Sequence, residues 1–218
     1  MSFLLAALLV VKLPLVVHVY DNTGLSASEL EVARAGAGYA LTAVGIEPIW
    51  RPCHAGGCIT RPKPQDVVIR IVRSGAWSLP GSLGFSTIDT RERAGTLATI
   101  LADRVEAMAA ESGVERGALL GRVMAHEIGH LLLGTTSHGH RGLMRARWLT
   151  TELQRNEPPD WMFSGKEGDS MRRHLLARAS TTDLPEALVA ELGPARLTEL
   201  TEIAVPIPRA PMLSVGKK

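Results

Sequence analysis

The sequence predicts an α/β fold: a mixed, mostly parallel twisted sheet with an edge strand, a backing helix and a central helix that carries the chemistry. Three observations predict it. Strand, helix and strand follow one another within the first 50 residues. A further β-rich run and a glycine-rich stretch come next. A long apolar helix over 115–133 then contains the run His126-Glu127-Ile128-Gly129-His130.

Leu15 to Tyr20 is a β-rich run closed by the turn cluster Asp21-Asn22-Thr23-Gly24. Ser26 and Glu29 form a capping box, and Leu30, Ala33, Ala37, Leu41 and Val44 then recur at helical spacing. Gly45 ends that helix and Ile46 to Trp50 opens a second strand, so the unit is βαβ and its strands are parallel. Val67 to Val72 is a third strand that reads as largely buried. Gly84 to Ile88 suits an edge strand, because its side chains are small and uncharged. Thr96 to Leu101 reads as strand with helix as its rival, and Asp103 to Ala110 as a helix ending at Ser112-Gly113. The apolar residues of 115–133 spread round most of the circumference, which makes this helix the buried spine. Beyond it come a short helix at Thr151 to Gln154, a Pro158-Pro159 break and a helix from Ser164 to Ala179. Helices over 185–192 and 195–203 and an extended, disordered end at 206–211 complete the reading.

With 218 residues, 45% of them hydrophobic and 21% charged, the chain holds one domain or a domain plus an appendage. The expected division is an apolar segment over 1–14, a catalytic domain over 15–179 and an appendage over 180–218. A net charge of +2 gives no footprint for nucleic acid, and nine aromatic residues offer no base-stacking platform. Phe3 to Val11 has the length of an export-signal core without its basic flank or cleavage site. It reads either as a degenerate or trimmed signal or as an extra apolar element; no stable membrane span is expected. Cys53 and Cys58 bracket a glycine-bearing loop. In an exported protein, the location slightly favoured, they pair as a local disulfide, and in the cytosol they stay reduced. A metal site from Cys53, His54 and Cys58 is the lesser alternative, because no fourth ligand is visible nearby.

The run His126 to His130 is H-E-x-x-H, with His138 following after Gly134. On a helix, His126 and His130 lie about 40° apart on one face, so both rings reach one ion. Glu127 is turned by about 100°, off the ion but near a water beside it. Neutral imidazoles to hold a Lewis acid, and a separate carboxylate to take a proton, make the expected cofactor Zn2+ and the expected activity hydrolytic. The alternative is a non-catalytic zinc protein in which the three histidines tie the loop to the helix.

From His126 to Met144 the chain resembles the metzincin clan of zinc metalloproteases, which joins this motif to a glycine, a third histidine and a methionine in a tight turn. The resemblance implies a zincin-like fold with the edge strand over the cleft. It implies His126, His130 and His138 as metal ligands, Glu127 as the base, Gly134 as the turning glycine and Met144 as the Met-turn residue. It also implies a peptide or protein substrate lying beside the edge strand, against Gly84, Phe85 and Ser86; a monomer is expected. The spacing departs from the family: glycine follows His130 by four residues and His138 by eight, against three and six. His140 is therefore a rival third ligand, and Glu152 is another, in the manner of the gluzincins. The string also resembles cytosolic H-E-x-x-H proteases that act on phage-type repressors, although those lack the upstream parallel sheet.

Overall fold

The computed structural model describes residues 12–53, 58, 62, 63, 65–75, 81–89, 94–179 and 193. The expectations for the apolar run at 3–11, for His54 and for the helices and extended end beyond 184 lie outside these residues. Five strands form one sheet in the order β2-β1-β3-β5-β4. They are β1 (Leu13–Asp21), β2 (Ile46–Cys53), β3 (Val67–Val72), β4 (Gly84–Asp89) and β5 (Ala94–Leu101). The pairs β1–β2, β1–β3 and β3–β5 are parallel, and β4 runs antiparallel to β5 at the sheet edge. The fold is thus α/β with a mixed, mostly parallel sheet.

Strand β1 begins at Leu13, two residues earlier than the sequence suggests, despite Pro14. Its pairing with β3 starts only at Val17, so the missing Pro14 N–H deprives no partner there. Strand β2 likewise runs on through Pro52 to Cys53, which an edge position tolerates. For Ala94–Leu101 the strand reading holds over the helical one, since parallel pairing to β3 buries Ala98, Ile100 and Leu101.

Helix α1 (Ala27–Ala43) carries the Ser26/Glu29 capping box and packs its alanine face against α3 (Arg116–Leu133). Helix α2 (Ala102–Ser112) ends at Gly113, and α4 (Thr150–Arg155) leads to a 3-10 turn over Pro158–Trp161. Helix α5 (Gly165–Arg178) starts from its own capping box, Ser164 with Glu167. The core lies between the sheet and α3, whose Leu119, Leu120, Met124, Ile128 and Leu131 are fully buried. Helix α5 clamps the far end of α3: Arg178 donates to the Leu131 carbonyl at 2.6 Å and His174 Nδ1 to that of Leu132 at 2.8 Å. These are carbonyls that a helix end leaves without internal partners, so the clamp fixes the turn bearing His130.

Candidate functional site

Helix α3 starts at Glu115, whose carboxylate accepts from the Gly117 and Ala118 amides at 2.9 and 2.6 Å. It stops at Gly134, where φ is 60°, in the left-handed region that reverses the chain. The segment past it folds back under the helix. Gly139 donates to the Met144 carbonyl at 2.7 Å, and Met144 is 1% exposed. A Cβ on Gly129 would come within 2.5 Å of the Met144 sulfur and 2.8 Å of the Phe163 ring. Gly129 lies between the two motif histidines in sequence, and only glycine leaves room for this floor.

His126 Nδ1 lies 2.8 Å from the Leu143 carbonyl and His130 Nδ1 2.8 Å from that of Thr135. A carbonyl can only accept, so each Nδ1 carries the proton and each Nε2 keeps its lone pair. These nitrogens converge with that of His138: His126 Nε2 to His130 Nε2 is 3.0 Å, and His130 Nε2 to His138 Nε2 is 3.3 Å. Two imidazole nitrogens sharing one tetrahedral zinc stand roughly 3.3 Å apart, so the donor set fits that ion. Burial pushes the His126 ring down to about 4, helped by repulsion from His130 and His138 and opposed by its bond to Leu143. Burial also lowers His130 and His138, so the rings are neutral at neutral pH.

His138 joins the cluster from an exposed loop position, whereas His140 is not among the converging groups. Glu152 is engaged elsewhere. It pairs with Arg145 and accepts from the Leu149 amide at 2.9 Å, closing the first turn of α4.

Glu127 is 4% exposed, and burial raises its carboxyl to about 7 against the lowering effect of the Ser86 hydroxyl. Ser86 Oγ lies 2.7 Å from Glu127 Oε2 and 3.0 Å from its backbone carbonyl. This tie between the edge strand and the motif helix has no signature in the sequence. Gly84, also on β4, passes so close that a Cβ there would meet Glu127 Oε1 at 3.0 Å and the Thr99 carbonyl at 2.9 Å. Gly84, Phe85 and Ser86 line one wall of a cleft of about 1010 Å³, with His126, Glu127 and Trp148 also on its lining.

Trp148 is the residue that sequence reasoning missed. Its ring meets His126 edge-on at 5.6 Å and Trp161 at 5.5 Å, and the Arg122 guanidinium sits 3.9 Å over Trp161. Its signal was available: a tryptophan four residues after Met144, in a chain only 4% aromatic.

No family model and no curated protein matches this chain. Among solved structures, it is similar to a zinc-dependent peptidase from Methanocorpusculum labreanum, with a TM-score of 0.48 and 14% identity over 71% of this chain and 99% of the other. It is also similar to archaemetzincin from Methanopyrus kandleri, with a TM-score of 0.46 and 13% identity over 75% of this chain and 96% of the other. Likeness of this degree leaves the function to be read from the site itself.

Proposed function

We propose that the protein is a zinc-dependent endopeptidase of metzincin type, with His126, His130 and His138 as ligands and Glu127 as general base. One observation carries the reading: three imidazole Nε2 atoms converge, beside a buried carboxylate and within a cleft walled by an edge strand. When bound, zinc supplies a Lewis acid that polarises a carbonyl and makes water acidic near neutral pH. The remaining roles belong to the chain. The Leu143 and Thr135 carbonyls hold the two helix rings in the ligating tautomer. Ser86 engages Glu127 Oε2 and so leaves Oε1, beside Gly84, to take a proton from water and return it to the leaving amine. A dication held by the three histidines would favour the ionised Glu127 carboxylate that a base requires. Met144 is the hydrophobic floor under the ligands. The peptide lies along β4 as an added strand, through main-chain hydrogen bonds near Gly84, Phe85 and Ser86.

The test pairs zinc analysis with cleavage of a broad peptide library. Wild-type protein with zinc at this site should cleave, and Glu127→Gln should keep the zinc while losing roughly 10²–10⁴-fold in turnover. Zinc retained by a wild type that cleaves nothing would point to a structural three-histidine site. Full activity in Glu127→Gln would overturn the mechanism.

A further inference from the structure

A second group of ligand-type side chains lies toward the other end of the sheet. His18 projects from β1 on the face opposite Leu15, Val17 and Val19, yet only 1% of it is exposed. Its Nε2 lies 2.9 Å from Asp66 Oδ2, and that carboxylate, in a residue 5% exposed, accepts from the Lys63 amide at 2.9 Å. Its Nδ1 faces Cys53 Sγ at 3.7 Å, and Cys53 is bonded to Cys58. The donor atoms of His18, Cys53 and Cys58 all lie within 4.8 Å of one another. The proposed peptidase chemistry uses none of them. As packing, a buried imidazole–carboxylate pair is a poor choice, because apolar residues of the same volume stabilise as well or better. As support for an ion it is apt. A carboxylate that accepts from Nε2–H leaves Nδ1 as a lone-pair donor and fixes the plane of the ring.

We propose that the reduced chain holds a zinc-type cation between Cys53 Sγ, Cys58 Sγ and His18 Nδ1, and that the disulfide is the oxidised, metal-free state of the same site. Two thiolates and an imidazole are the donors that zinc accepts, while magnesium and calcium demand oxygen. Three protein ligands leave the fourth tetrahedral position to solvent. Conversion requires an external dithiol. Two electrons and two protons pass from it to the two sulfurs, the Cys53–Cys58 bond breaks, and the donor leaves as its own disulfide. The cation then displaces both thiol protons to solvent. The Tyr20 hydroxyl, 2.9 Å from Cys58 Sγ, is placed to donate to the thiolate that results.

Cobalt(II) is the probe, because a sulfur-to-cobalt charge-transfer band reports thiolate ligation and no sulfur donor belongs to the three-histidine site. Full-length protein is reduced with a dithiol, desalted without oxygen and titrated. The reduced protein should bind one cobalt more than the oxidised protein and show the band, which zinc then erases. Cys58→Ser should lose the band, and Asp66→Asn should weaken the extra site roughly 10–100-fold. A reduced protein with no such band overturns the proposal, whatever the α3 histidines bind. So does full affinity in an Asp66→Asn protein whose circular dichroism and unfolding match the wild type.

Discussion

The three-histidine cluster and the group of His18 with two cysteines stand toward opposite ends of the sheet, and their rings are held by opposite nitrogens. At α3, His126 and His130 donate from Nδ1 to backbone carbonyls, and the Nε2 atoms converge. At β1, His18 Nε2 donates to a carboxylate, and Nδ1 faces sulfur. The difference teaches what each site is suited to. Neutral carbonyl partners leave the α3 rings as weak, all-nitrogen donors beside an open cleft, where a Lewis acid keeps its acidity. A carboxylate partner and two thiolates donate more charge and hold a soft cation more tightly, even with one position left to solvent.

The strongest test of this contrast removes one α3 ligand. His130→Ala should weaken zinc at the three-histidine site by roughly 10³-fold or more, with the thiolate–cobalt band of the reduced protein untouched. His138→Ala should weaken it far more than His140→Ala. Isothermal titration with zinc measures both, and equal losses at 138 and 140 would reassign the third ligand. If His130→Ala also abolished the thiolate band, the two clusters would not be independent.

A pH series on metal-free protein sharpens the electrostatic side. The His126 ring is depressed to about 4, so the unfolded chain binds its proton more readily and stability is lost as pH falls from 6.5 toward 4. The Glu127 carboxyl is raised to about 7, so its contribution has the opposite sign and is lost as pH rises from 4.5 toward 7. The two slopes oppose each other in the wild type. Glu127→Gln removes the second, so its urea-unfolding free energy should climb more steeply than the wild type's from pH 4 to 6.5, by about 2 kcal/mol. Parallel curves for the two proteins would contradict this account of the burial.

The smallest expected effect concerns the floor of the α3 site. Gly129→Ala drives a methyl into Met144 and Phe163 and should cost about 1–3 kcal/mol in thermal or urea unfolding. Zinc affinity at the α3 histidines should fall with it, and the cobalt band of the cysteine site should not change. Unaltered stability would mean that the segment carrying Met144 moves aside freely.

Legibility differs between the clusters for a physical reason. His126, Glu127 and His130 share one helix, so a regular repeat sets their geometry and the spacing alone predicts the convergence. His138 was harder, since a loop of the wrong family spacing had to fold back to reach them, and only the return of the chain under Gly129 shows that it does. Cys53 and Cys58 are near in sequence and read as a pair. Their neighbour His18 is 35 residues from Cys53, and Asp66 is 48 residues from His18. Strand order brings them together, and no local pattern encodes strand order.

By itself, then, the sequence determined most of the element types, the parallel start of the sheet, the capping box at Ser26 and the helix that presents His126, Glu127 and His130. All of these rest on interactions within a few residues, where helical and strand periods, cap chemistry and glycine turns act directly. Tertiary structure alone decided which carbonyls set the histidine tautomers, that Ser86 engages Glu127, that Trp148 flanks His126 and that His18 and Asp66 lie beside the cysteines. Those contacts join residues from separate elements, and their geometry is set by how the core packs around α3 rather than by any period in the chain.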